Sequence, residues 1–157
     1  MLLRGLATAA VVVVLDQLSK TLVLTFFADR TLSGRATVTS FFNLSLTYNR
    51  GISFGLFNGG AGMNVLVFSL MAAAIVSVLI FWLRRVSSPP LAVAIGLIIG
   101  GAVGNVIDRL RLGAVVDFLD FHLGGLHWPA FNLADSAICI GVAAMLLDGL
   151  VFRREAH

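Results

Sequence analysis

Residues 91–118 read LAVAIGLIIGGAVGNVIDRLRLGAVVDF, and this stretch decides the fold. Its first part, from about Leu91 to Leu110, is a nearly unbroken apolar run. At 1.5 Å per residue about 20 such residues span the ~30 Å hydrocarbon core of a bilayer. Gly96, Gly100 and Gly104 recur at every fourth position, a spacing that lets a neighbouring helix approach closely. The run ends in Asn105-x-x-Asp108-Arg109, and Asp117 follows. After an outer loop at about 111–130 the chain returns as PAFNLAD, residues 129–135, with Asn132 and Asp135. Ionisable groups beside a bilayer are expensive to keep there, which makes them functional candidates.

Composition agrees with a membrane setting. Of 157 residues, 59% are hydrophobic and 12% charged, whereas soluble domains are nearer half apolar and a quarter charged. The net charge of +3 comes from basic residues placed singly or in pairs at the ends of apolar runs. That is the pattern of membrane-protein loops, and it lacks the contiguous basic patch a nucleic-acid partner needs. A single cysteine, Cys139, excludes an intrachain disulfide and a cysteine metal cluster. Lying in an apolar run, it reads as a small, inert core residue.

Three further apolar runs lie at about 6–27, 63–83 and 131–151. The opening MLLRGLATAAVVVV has the charge and apolar core of a signal peptide, but Asp16 and Lys20 follow where a small-residue cleavage site would stand. The apolar pattern then resumes to Phe27, so the segment reads as a retained helix. From about 28 to 62 the chain is mixed and polar. ATVTSFFNLSLTY, residues 36–48, is rich in β-branched and aromatic residues, and NRG and NGG supply turns. The expectation is one domain over residues 1–157. It is an all-α membrane protein of four transmembrane helices, with a small β-rich extracytoplasmic segment between helices one and two.

Orientation follows from the arginines. Arg4, Arg84, Arg85, Arg153 and Arg154 collect on one side, and Arg30, Arg35, Arg50, Arg109 and Arg111 on the other. The first group lies in very short segments with hardly any acid, which places both termini in the cytoplasm and the acidic helix ends outside.

Residues at i, i+3 and i+4 share a helical face. Asn105, Asp108 and Arg109 therefore point one way, as do Asn132, Asp135 and Ser136, and Asp117 can reach the same region. Such carboxylates do not all ionise in a low-dielectric cleft. One is held ionised by an arginine partner, and two close together share a proton. A shared proton suits an aspartic hydrolase, in which one carboxylate takes a proton from water while the other polarises the scissile carbonyl. The residues alone incline to pairing Asp108 with Asp135. They leave open that these groups only cap helix ends, or serve a proton- or ion-coupled transporter. Against the transporter, the acids cluster at one membrane edge, with only Asp16 and Lys20 deeper.

Other motifs carry less. Gly51-Ile52-Ser53-Phe54-Gly55 matches a nucleophile elbow, but that motif needs an alternating α/β sheet. Asp117, Asp120, His122 and His127 lack the spacing of a helical metal-ligand pair. Ser19 and Lys20, as helical neighbours, diverge by about 100°, and Lys20 is better matched to Asp16 at i,i+4.

Taken in order, D-x-x-S-K (Asp16 to Lys20), N-R-G (Asn49 to Gly51), GN-x-x-D-R (Gly104 to Arg109), VVDF (Val115 to Phe118) and FN-x-AD (Phe131 to Asp135) resemble the type II signal peptidases of bacteria, the lipoprotein signal peptidase family. The resemblance covers nearly the whole chain. It implies an aspartic intramembrane protease of the inner membrane that cuts prolipoproteins before a diacylglyceryl-modified cysteine. Carried over position by position, the catalytic pair falls on Asp117 and Asp135. Asp108 becomes a supporting residue with Asn105, Arg109, Asn132, Asp16, Lys20, Asn49, Arg50 and Gly51. The β-rich stretch resembles the family's β-cradle. The resemblance implies no cofactor, no metal, a lipid environment, lipidated substrates and a monomer.

Overall fold

The fold was analysed in a computed structural model that describes residues 1–28, 34–51 and 60–152. Four long helices dominate: α1 (Leu2–Phe26), α2 (Gly60–Leu83), α3 (Pro89–Leu112) and α4 (Leu133–Phe152). Each contains a stretch long and apolar enough to cross a membrane. Their outer faces carry large apolar side chains in the open, such as Leu15, Leu22, Leu70, Val78 and Leu147. An exposed apolar surface on this scale is a lipid-facing one. Cys139, expected in the core, lies on that exposed surface of α4.

α3 is the central helix. Of its most apolar stretch 56% is buried, against 6% for α2, and it packs on α1, α2 and α4. Its start is fixed by Ser88, whose hydroxyl accepts from the Leu91 amide, and by Pro89 at the first helical position, where a missing N–H costs nothing. It ends at Gly113, which adopts φ 73° and donates its N–H to the Arg109 carbonyl. Three of the α3 glycines lie against neighbouring backbone, and Gly104 lies against the Asp16 carboxylate. Gly96 faces Gly5 and Thr8, Gly100 faces Ala9 and Val12, and Gly101 faces Ala134 of α4. The four-residue glycine spacing thus marks the α1 contact. A core of Ala9, Leu79, Leu83, Ala92, Ile95, Ile98 and Ile99 fills the far end of the bundle.

At the other end lies an antiparallel sheet in the order β1-β2-β3-β4, made of β1 (Arg35–Thr39), β2 (Phe42–Asn49), β3 (Val115–Leu123) and β4 (Leu126–His127). Half of this sheet comes from the stretch at 111–130 expected to be a loop. VVDFLDFHL is a strand because it pairs with β2 in a register setting Asn43 opposite Asp120 and Thr47 opposite Asp117. Its side chains alternate. Val116 and Phe118 turn inward and pack with Val23 and Phe27 at the end of α1, which aims Asp117 the other way. The expected β-rich segment is therefore one half of a sheet that both outer stretches build. The elbow-like motif at 51–55 lies, beyond Gly51, outside the described residues, as do Arg30, Arg153 and Arg154.

Candidate active site

The polar residues of three helices and two strands converge where α3 ends and α4 begins. Asn132 precedes α4 and caps it. Its Oδ1 accepts from the Asp135 amide at 2.9 Å, and an Asp135 carboxylate oxygen accepts from the Asn132 amide at 3.2 Å. This reciprocal capping box satisfies two donors that every helix start leaves open. The Asn132-x-x-Asp135 spacing is thus a helix start, and the start holds the carboxylate in place. The other Asp135 oxygen accepts from Asn105 Nδ2 at 2.8 Å.

Asp117 is buried and accepts from two asparagines, Asn132 Nδ2 at 2.8 Å and Asn49 Nδ2 at 3.0 Å. One residue, Asn132, therefore bonds both Asp117 and Asp135. Asn49 is itself held in a turn, accepting from the Gly51 amide at 2.9 Å. Gly51 takes φ 92°, a left-handed conformation, and any side chain there would run into Phe68. Burial pushes the Asp117 carboxyl up to about 6, and the nearby Asp135 charge adds to the rise. The Asn49 and Asn132 bonds and the Lys20 charge pull in the opposite direction.

Beneath this pair sits a second, fully buried set. Lys20 Nζ donates to Asp16 at 2.8 Å and to Asn105 Oδ1 at 3.1 Å, and forms an ion pair with Asp108 at 2.7 Å. Asp108 therefore pairs with Lys20 and not with Asp135. The expected pairing of Arg109 with Asp108, Asp117 or Asp135 does not form among the described residues. Arg109 donates to the carbonyl of Asn105 at 3.4 Å, and its guanidinium lies over the Phe68 ring, 5.2 Å from the centroid. Arg50 joins no hydrogen bond among the described residues. It lines a cavity of about 460 Å³ with Tyr48, Asn49, Asn64, Asp117 and Pro129. A second cavity of about 240 Å³ runs between α2 and α3, from Met71 and Ile75 to Asn105 and Arg109.

Gln17 escaped the sequence reading. Its Nε2 reaches Asp108 at 2.9 Å and Asp16 and the Gly104 carbonyl at 3.2 Å. The available signal was an amide inside an apolar run, next to Asp16. Farther out on the sheet, Asp120 accepts from Arg35 and Asn43, each at 3.0 Å, and lies 2.7 Å from His127 Nδ1. The His127 bond, with Asn43 and Arg35 behind it, holds the Asp120 carboxyl below its ordinary value. His122 stacks on His127 with centroids 4.9 Å apart. Of the residues considered as metal ligands, Asp120 and His127 are engaged with Arg35 and with each other, while Asp117 belongs to the other cluster, bonded to Asn49 and Asn132.

Comparison with known proteins gives these residues a setting. Residues 8–151 match the family described as signal peptidase (SPase) II. The lipoprotein signal peptidase of Burkholderia vietnamiensis is 46% identical over 146 residues, 92% of this chain and 86% of that one. That of Janthinobacterium sp. is 44% identical over 150 residues, 95% of this chain and 89% of its own. Two solved structures of a bacterial membrane enzyme, determined in meso, superpose with a TM-score of 0.76 each. They are 30% and 31% identical to this chain and cover 93% of it, which is 87% and 92% of their own lengths. None of these relatives is described as a transporter. With four apolar helices and a match that runs almost from end to end, this multi-pass bacterial membrane protein belongs to the signal peptidase II family.

Proposed function

We propose that this protease is an aspartic endopeptidase that removes the signal peptide of prolipoproteins by hydrolysing the bond before a diacylglyceryl-modified cysteine. The observation that carries the catalytic type is the pairing of Asp117 and Asp135 through the single residue Asn132, beside a cavity open to substrate. With the Asp117 carboxyl drawn up to about 6 by burial, a protonated carboxyl is available in the site just below neutral pH. The ionised partner takes a proton from water as it attacks the scissile carbonyl. The protonated partner donates to the carbonyl oxygen, and a proton then passes to the leaving amine. Asn49, Asn105 and Asn132 orient the carboxylates, and Arg50 and Gly51 border the approach. Arg109, above the groove between α2 and α3, faces the apolar signal segment on its way to the pair.

The same reading places the site at the outer face of the inner membrane with both termini in the cytoplasm. The protein acts there as a monomer, and the lipidated substrate arrives sideways through the bilayer. The hairpin between β3 and β4 suits an interfacial position for the sheet, because Leu123, Leu126 and Trp128 stand exposed, as fits a headgroup layer.

The test is cleavage of a prolipoprotein, with and without its diacylglyceryl group, in detergent and read by mass spectrometry. Asp117→Asn and Asp135→Asn are each expected to lose at least ~10³-fold in kcat, with wild-type activity unaffected by chelator. Activity persisting in either variant, or lost with chelator, overturns the aspartic mechanism.

A further inference from the structure

Two backbone amides connect the lower polar set to the proposed catalytic pair. The amide of Val116, the residue before Asp117, donates to Asp108 at 3.1 Å. The amide of Ala134, the residue before Asp135, donates to Asp16 at 3.0 Å. Asp16 and Asp108 lie on different helices, and Lys20 bridges them at 2.8 and 2.7 Å with all three side chains buried. The same ammonium also donates to Asn105 Oδ1, turning that amide so that its Nδ2 meets Asp135. Each catalytic strand or helix start is therefore moored, one residue upstream of its aspartate, to a carboxylate on Lys20. Gln17 braces the Asp108 side of the mooring.

We propose that Lys20 is a positioning residue which, by joining Asp16 and Asp108, sets the separation and orientation of Asp117 and Asp135. This rests on those two aspartates being the catalytic pair. A bridge confined to stability could equally have bonded side chains or nothing; here its two carboxylates hold the backbone at the two reacting positions. Around the pair, among the described residues, the charged groups are Asp16 and Lys20 from α1, Asp108 and Arg109 from α3, and Arg50 across the cavity from Asp117. A buried charge removed from one member leaves the others uncompensated, so folding has to be read alongside rate.

The experiment compares Lys20→Met, Asp108→Asn and Gln17→Leu with wild type in detergent, on a lipidated prolipoprotein. The readouts are kcat, KM, the pH–rate profile and thermal unfolding. For folded Lys20→Met, kcat is expected to fall about 10²-fold, since ångström-scale misplacement costs that much, while KM changes less than about twofold. The spacing of the two limbs of the pH profile should change as the coupling of the pair changes. Gln17→Leu, which removes no charge, should lower kcat about threefold with KM unchanged. It decides the matter should Lys20→Met not fold. A folded Lys20→Met with wild-type kcat and pH profile, or a Gln17→Leu with wild-type kcat, overturns the proposal. Asp117→Asn and Asp135→Asn run in parallel separate the two readings. If they remain active, the catalytic assignment fails; if they are dead while Lys20→Met is unaffected, only the positioning role fails.

Discussion

Asp117 is 2% exposed and carries the clearest electrostatic signature in the site. Its folded value of about 6 lies above the 3.8 of an unperturbed aspartate, mainly through burial. A carboxyl raised in this way contributes stability that is complete below about 3.8 and is lost as pH rises through about 6. That interval, at about 1.4 kcal/mol per pH unit, corresponds to at most about 3 kcal/mol. The wild-type unfolding temperature in detergent is therefore expected to decline between pH 4 and 7, and Asp117→Asn to flatten that decline. A wild-type curve that rises across the interval contradicts the raised value. Activity has the same sign. On the proposed mechanism kcat/KM should fall as pH rises through about 6, where Asp117 loses its proton. Residue-level roles were only partly legible in sequence. The Asp16–Lys20 pair is local, at i,i+4, and can be read directly. The second partner of Lys20, Asp108, becomes visible only when α1 and α3 pack; the helical spacing by itself points Asp108 toward Asp135.

Helix α3 sets where those residues meet, and its glycines set how closely. A Cβ on Gly100 would meet the Ala9 carbonyl and Val12 Cβ, both at 2.7 Å, far inside ordinary contact. Gly100→Val is expected to push α1 from α3 at a cost of about 1–3 kcal/mol. It should also reduce kcat, because the Lys20–Asp108 bridge spans that interface. Gly149→Ala on α4 is the control. Nothing lies within 4 Å of its Cβ, so unfolding temperature and kcat should stay at or slightly above wild type. Equal losses in the two variants would show that backbone freedom, not packing, is what matters at Gly100. The four helices were legible because length and apolarity need no partner to be recognised. β3 was not. VVDFLDFHL has strand composition, but what makes it a strand is β2, far away in the chain, so from sequence alone the stretch reads as a loop. Asn132-x-x-Asp135 illustrates the converse, since capping and catalysis read as rivals in the sequence, yet the capping bonds are the ones that hold the proposed catalytic carboxylate.

At the scale of the whole molecule, every polar contact of the proposed site lies at one end of the bundle. The C-terminal halves of α1 and α3, the start of α4 and the sheet all meet there. The opposite end holds the apolar core around Leu83 and Ile95 and the turn from Arg84 to Ser88. A substrate anchored by acyl chains in the outer leaflet can reach only an end that faces outward, and the arginines of the opposite turn favour the cytoplasm. Single cysteines in a Cys139→Ala background test this. Ser40, between β1 and β2, and Ser87, between α2 and α3, are both exposed. With a membrane-impermeant maleimide on intact spheroplasts, Ser40→Cys is expected to label. Ser87→Cys should label only after the membrane is opened. The reverse pattern would turn the molecule over and put the two aspartates in the cytoplasm, out of reach of a lipoprotein precursor whose cleavage site has already crossed the membrane. Equal labelling of both before opening would show that the bundle end taken as inner is not shielded by the membrane. Only the first pattern is compatible with a peptidase that waits at the outer edge of the bilayer for a tethered substrate.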